Sequence, residues 1–274
     1  MRSRFNNPVL QKEFKLRFRS IKSFLGIFFY LLILGTLALV FIHVSSEAQH
    51  HLYFRPEVSR GMFSFLSIIQ LLMLLFITPG LTAGVISGER ERQTLNILLT
   101  TTVSSFSIIT GKMVSAISYL LLLLVASLPL YSFVFLFGGV APGEVVLVFL
   151  IYVTTIFSIG SVGVLVSTLI RKTIASVITS YAITLFLTIG TIIIFFISMG
   201  TGLFHPSSNH ALPYIVASFN PIIALYSILE SDFLFYAGTN SWFNFPIWIP
   251  FLCIYLFILI VNTAVSTWKL RRGK

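Results

Sequence analysis

Charged side chains are scarce in this chain. Lys and Arg number 18 and Asp and Glu 8 in 274 residues, 9% of the total, against about a quarter in an ordinary soluble domain. So few charges cannot clothe a water-soluble globule, and a 57% hydrophobic composition with a mean hydropathy of +0.98 suits an apolar solvent. Cysteine is nearly missing. Cys253 stands alone, which excludes an intrachain disulfide scaffold and leaves it as a small apolar residue of a membrane helix. The net charge of +10 is not gathered beside polar, foldable sequence, so nucleic acid is not an expected partner. A phosphate-cradling G-x-x-x-x-G-K-[ST] loop is also missing, because Gly111-Lys112 runs into Met113 without the upstream glycine. The chain is therefore not expected to hydrolyse nucleotide, to carry a catalytic residue or to bind a cofactor itself. His50 and His51 are adjacent and have no third ligand at metal spacing, so they read as a polar loop and no metal site is expected.

What the chain does have is long apolar runs. Six stretches, Phe24–His43, Met62–Ser87, Ile109–Phe137, Val145–Ile170, Thr173–Met199 and Ile247–Trp268, each reach the ~20 residues that cross the hydrocarbon core. The fold class expected is an all-α membrane protein with six transmembrane helices. The second to fifth stretches are long enough that they must tilt, kink or emerge, and Thr78-Pro79-Gly80 and Pro129 predict kinks. Of the 18 Lys and Arg, only Arg55 and Arg60 fall in the loops after spans one, three and five. The acids run the other way, with Glu47, Glu57, Glu144, Glu230 and Asp232 on the Arg-poor side and Glu13, Glu89 and Glu91 opposite. The positive-inside rule then puts both termini in the cytoplasm, and the basic excess reads as topogenic and attracted to anionic lipid headgroups. The first span is too long for a signal-peptide core and no small-x-small site follows it, so an uncleaved anchor is expected.

With Lys112 counted in the loop that opens span three, no Asp, Glu, Lys or Arg lies inside a span, and the five histidines sit at or beyond the outer ends. Proton- or ion-coupled transport needs intramembrane ionisable groups, and an intramembrane protease needs an acid pair or an activated serine at bilayer depth. Neither chemistry is supported.

Two segments on the basic side have the character of functional elements. Residues 1–23 open with Asn7-Pro8, an N-cap type followed by proline at the first helical position. Leu10, Phe14, Phe18, Ile21 and Leu25 then recur at steps of four and three, opposite Lys12, Lys15, Arg19 and Lys22, as in a basic amphipathic helix lying in the headgroup plane. The stretch 14–19 also alternates with period two, and a plain basic flank is the alternative. Between spans two and three, residues 88–104 place Glu89 and Glu91 in a first helical turn, where the helix dipole favours anions, and repeat Leu95, Leu98, Leu99 and Val103 on one face. A connection needs only about 2–8 residues. This longer one is a candidate docking surface for a partner, or else a loop whose leucines rest on the membrane.

The run Glu-Arg-Glu-x-x-Thr-Leu-x-x-Leu-Leu at 89–99, Val103-Ser104 beyond it and Gly111-Lys112 at the start of span three together resemble the permease subunits of the ABC transporter type-2 exporter superfamily. The likeness extends to the amphipathic N-terminal segment, the six spans and the large outer segment before the last. It implies a coupling helix received by a groove of a separate cytoplasmic ABC ATPase subunit, which would hold ATP and Mg. It assigns that contact to Glu89, Arg90, Glu91, Thr94, Leu95, Leu98 and Leu99. Many members carry proline where this chain has Thr102, which bears on where the coupling helix ends. The resemblance further implies a second permease chain, identical or related, with spans two and five bordering a central path.

In span five, Ser176, Ser180, Thr184 and Thr188 recur at steps of four and line hydroxyls along one ridge. Such ridges let helices approach closely. Intrachain packing, a subunit interface and a wall of the translocation path are all compatible with it. Residues 200–245 hold no Lys or Arg and two short apolar patches, around Ile215 and at 220–225. These suit re-entrant or interfacial helices capping the outer mouth, flanked by an aromatic belt of Tyr236, Trp242, Phe243 and Trp248. The expected protein is a multi-pass permease of a bacterial plasma membrane that exports a hydrophobic or amphiphilic cargo (peptide, antibiotic or lipid-like). The alternative is a non-transporting sensor or immunity subunit of the same kind of complex.

Overall fold

A backbone in hydrocarbon must satisfy its own N–H and C=O groups, and a helix does so within one segment. The computed structural model describes residues 20–49, 56–95, 104–200, 212–230 and 245–272, and every element among them is helical. The amphipathic segment 1–19, the leucines Leu98 and Leu99, and Tyr236, Trp242 and Phe243 of the aromatic belt lie outside the described residues.

The first span is α1 (Ile21–Gln49). The second is α2 (Pro56–Thr82), followed after a turn at 83–86 by the short α3 (Ser87–Glu91). The third is α4 (Ser105–Phe137) and the fourth α5 (Pro142–Leu169), which starts with proline at its head and Glu144 in the first turn. The fifth is composite: α6 (Thr173–Leu185), a π-helical turn (Phe186–Gly190) and α7 (Thr191–Gly200). Two short helices follow, α8 (Leu212–Ser218) and α9 (Pro221–Leu229), and then the sixth span, α10 (Trp248–Arg272). Six of these segments are long and apolar enough to cross a membrane.

The fourth span is the hub. Its apolar stretch is 67% buried, against 17% for the first and sixth spans, because α2, α4, α6, α9 and α10 all pack on α5. Phe63, Leu66, Leu71, Ile117, Ile156 and Phe251 belong to the core so formed. Glycine permits the closest crossing. A Cβ on Gly163 would run into the Thr82 hydroxyl, and one on Gly160 would sit 3.1 Å from Ile117 Cδ1. At the α4–α5 turn Gly139 has φ of +91° and a Cβ there would strike the Pro56 carbonyl, so only glycine fits. Phe28 and Leu39 of α1, Ile178 and Phe196 of span five, and Phe257 and Ile260 of α10 stay exposed, as expected of surfaces solvated by lipid or by another membrane chain.

Two expectations need refinement. Pro79 and Pro129 both lie inside helices, and the ladder of the second span gives way after Thr82, a few residues past Pro79 rather than at it. Lys112 is not a loop residue. It sits well inside α4 and is 5% exposed, because Glu89 reaches it and compensates its charge.

Candidate functional site

The break after Thr82 frees backbone groups, and two neighbouring helices take them up. The N–H groups of Ile86 and Ser87 both donate to Ser167 Oγ of α5 at 2.9 Å, and Ser167 Oγ donates on to Ser87 Oγ at 3.2 Å. Ser176 Oγ of α6 donates to the Ala83 carbonyl at 2.6 Å. All three serines are fully buried, where an unpaired backbone group would cost about 1–3 kcal/mol. The interruption is thereby a specified feature of the bundle.

The Glu-Arg-Glu triplet fans out from the break, one residue to each neighbour. Glu89 Oε1 accepts from Lys112 Nζ of α4 at 3.1 Å. Arg90 Nη2 donates to the Thr168 carbonyl near the end of α5 at 3.2 Å. Glu91 accepts from Thr173 N at 2.8 Å and from Thr173 Oγ1 at 2.7 Å. It thus supplies from across the bundle the acceptor that an N-cap side chain would give the first turn of α6. These two bonds from Thr173 hold the exposed Glu91 carboxyl below the ordinary carboxylate range, with Lys172 adding to the effect. After Glu91 the chain reverses at Gln93, which adopts φ of +58°. That reversal brings the Thr94 hydroxyl back onto the Glu89 carbonyl at 3.2 Å and onto the Glu89 carboxylate. Leu95 is buried in the main core. Of the residues expected to dock a partner, Glu89, Arg90, Glu91 and Thr94 therefore form one turn tied to spans three, four and five, and Leu95 anchors it.

The hydroxyl ridge of span five faces the chain's own interior. Ser176, Ser180, Thr184 and Thr188 are all buried. Ser176 bonds α2, whereas Thr184 and Thr188 donate to the carbonyls of Ser180 and Thr184, both at 2.9 Å. Beside the ridge the Tyr181 hydroxyl donates to the Phe76 carbonyl at 2.9 Å, and Gly80 leaves it the room. Span two and α6 thus meet hydroxyl on backbone at two points, the Ala83 and Phe76 carbonyls.

A second interruption lies farther along span five. The π-helical turn at Phe186–Gly190 displaces carbonyls from the α-helical ladder. Asn220, fully buried, meets it: Nδ2 donates to the Thr188 carbonyl and to Thr191 Oγ1, both at 2.6 Å. Its Oδ1 accepts from Ile222 N and Ile223 N at 2.8 and 3.1 Å, capping α9. The other end of α9 is closed by Arg60, whose Nη2 donates to the Leu229 carbonyl at 2.9 Å.

Reading the residues alone missed Lys112, Ser167, Thr168, Thr173 and Asn220 as parts of these arrangements. A signal existed for Asn220, which with Pro221 repeats the cap-then-proline pattern of a helix start. Ser167 continues the small-residue stripe of Gly160 and Gly163 in span four, but neither it nor Thr168 signals its partner, which lies about 80 positions away in sequence.

The family profile described as ABC-2 family transporter protein matches residues 8–272. No curated protein matches the chain significantly.

Proposed function

Since the chain belongs to the ABC-2 transporter family and is a membrane permease, we propose that it is the membrane half of an ATP-driven exporter whose nucleotide hydrolysis occurs on separate cytoplasmic subunits. The observation that carries this reading is the Glu-Arg-Glu turn. It is exposed at its tip from Glu91 to Thr94 and bonded at its base to Lys112, Thr168 and Thr173 on three different spans. A push on its tip is delivered to spans three, four and five together, with span two attached through the break after Thr82. Glu89, Arg90, Glu91, Thr94 and Leu95, with Leu98 and Leu99 beyond them, are the residues assigned to this coupling. ATP and Mg belong to the partner.

The turn and both termini would then face the cytoplasm, and a second permease chain would complete the path beside spans two and five. Ser176 and its ridge form the contact along which those two spans shift. The only charge buried within a described span is Lys112, neutralised by Glu89. An otherwise uncharged bundle suits a hydrophobic or amphiphilic cargo such as a peptide, an antibiotic or a lipid-like molecule.

The test is reconstitution of the chain with its ATPase in proteoliposomes, reading stimulated ATP hydrolysis and movement of a labelled amphiphilic peptide in parallel. Glu89→Ala and Leu98→Ala should abolish both activities while the complex stays in the membrane. Hydrolysis that responds to these variants without any cargo movement by the intact chain would instead make it a sensor or immunity subunit. Variants that change neither activity would refute the coupling role.

A further inference from the structure

Six polar side chains from four spans meet deep in the bundle: Tyr30 of α1, Ser67 and Gln70 of α2, Ser127 and Tyr131 of α4, and Tyr152 of α5. Each is at most 3% exposed. They lie about 22 Å along α4 from Lys112, so they are remote from the Glu-Arg-Glu turn and play no part in it. Some of their bonding is internal. Gln70 Nε2 donates to Ser127 Oγ at 2.9 Å, Tyr152 OH donates to the Ser67 carbonyl at 2.9 Å, and the Tyr131 and Tyr152 hydroxyls stand 3.4 Å apart. Ser127 has already given its hydrogen to the Leu124 carbonyl at 2.7 Å, so it can only accept from Gln70. That fixes the amide orientation and aims Gln70 Oε1 away from Ser127.

Three buried atoms are left over. Gln70 Oε1, Ser67 Oγ and Tyr30 OH have no hydrogen-bond partner among the described residues. Ser67 differs in this respect from Thr78 and Thr82 of the same helix, which each bond the carbonyl four residues back. The three atoms belong to one place. Ser67 and Gln70 are neighbours one turn apart, Gln70 is bonded to Ser127, and the Tyr30 hydroxyl lies beside Ser127 but outside hydrogen-bonding geometry. The rings of Phe63 and Phe149 pack edge-on to Tyr131 at 5.8 and 5.6 Å between centroids and enclose the cluster in apolar surface.

Orphaned polar atoms in an apolar enclosure are costly, and buried groups of this kind are normally satisfied by ordered water. The chemistry of the set selects the occupant. Gln70 Oε1 can only accept, whereas the two hydroxyls both donate and accept, so the occupant must donate as well as accept. An anion cannot donate to Oε1, and a cation would lack any carboxylate in the cluster. We propose that this cluster is an internal hydration site, holding one or more water molecules where α1, α2, α4 and α5 join. Water there donates to Gln70 Oε1 and bridges to Ser67 and Tyr30. The joint of the first span with α2 and α4 is then a wet contact, although the faces around it are apolar.

The test is X-ray radiolytic footprinting of the full-length chain in lipid nanodiscs, read by mass spectrometry, because radiolysis of bound water oxidises the side chains it touches. Tyr255 is the internal control. It is equally buried, and its hydroxyl is paired with the Phe219 carbonyl. Tyr30, Tyr131 and Tyr152 should be oxidised several-fold faster than Tyr255, and labelling at that rate or below would overturn the proposal. A Ser67→Ala variant provides a second readout that needs no bond to be broken. In a hydrated cluster it lowers both the melting temperature and the tyrosine labelling. In a dry one it removes an unsatisfied hydroxyl, so a raised melting temperature with unchanged labelling refutes the site.

Discussion

Spans two and five both interrupt their α-helical ladders, and the two interruptions are repaired by different chemistry. At 83–86 the freed groups are shared among two serines from different helices, and the charged triplet that follows spreads over three spans. At 186–190 a single neutral side chain, Asn220, takes up the displaced carbonyl and caps another helix at the same time. Burial explains the choice. Glu91 and its neighbours are exposed and can keep charge hydrated, whereas Thr188 and Asn220 are enclosed and a charge there would be expensive. Redundancy differs too: contacts from three spans hold the first break, whereas Asn220 and Thr191 share the second.

That contrast predicts a ranking of losses. Asn220→Leu should cost the most, about 3 kcal/mol, because it removes in one step a helix cap and the buried donor to the Thr188 carbonyl and the Thr191 hydroxyl. Asn220→Ser should fall between the wild type and Asn220→Leu, since it keeps a side-chain acceptor for the first turn of α9 but loses the donor to Thr188. Thermal unfolding in detergent ranks the three proteins, and equal melting temperatures would remove Asn220 from its role. Ser167→Ala should cost less, about 2 kcal/mol, because Ser176, Arg90 and Glu91 still hold the break. Hydrogen exchange should speed up at Ile86 and Ser87 while the π-helical turn keeps its protection, and faster exchange at both places would erase the distinction drawn between them.

A smaller effect is expected at the ion pair. Glu89 is half-buried and pairs with the buried Lys112 of α4, so Glu89→Ala, which removes that pair, should destabilise by about 1 kcal/mol. Adding Lys112→Met should restore much of this, and a double variant no better than the single one would show that the pair does not matter. The smallest effect belongs to Glu91. Its folded carboxyl lies below the ordinary range, so its contribution is present above the unfolded value and is lost as pH falls through the lower folded one. Glu91→Gln should flatten the melting-temperature profile by slightly lowering its neutral end and leaving the acid end, where the carboxyl is already protonated, nearly unchanged.

Much of the architecture could be read from residues in order, because hydropathy and helix length are local properties. The six apolar stretches lie on helices, and the period of Ser176, Ser180, Thr184 and Thr188 marks a real ridge. Which way that ridge faces depends on α2 and α5, and no periodicity within span five encodes it. Pro79 pointed to trouble in span two, yet the break comes later, where Ser167 and Ser176 from other helices can catch the freed groups. The π-helical turn has no breaker before Gly190 and depends on Asn220, about 30 positions onward. Lys112 was hidden by its surroundings, since one lysine in a strongly apolar run barely lowers the average while its partner sits 23 residues earlier.

The coupling assignment meets its most direct test in a contact measurement at the tip of the turn. With Cys253→Ser removing the native thiol, Gln93→Cys carries a photoactivatable label in membranes that contain the assembled complex. The account predicts an adduct between this chain and the subunit that hydrolyses ATP, formed from the cytoplasmic side. Labelling of Gln93→Cys only by reagent applied outside, or an intact complex giving no adduct to that subunit, would contradict it.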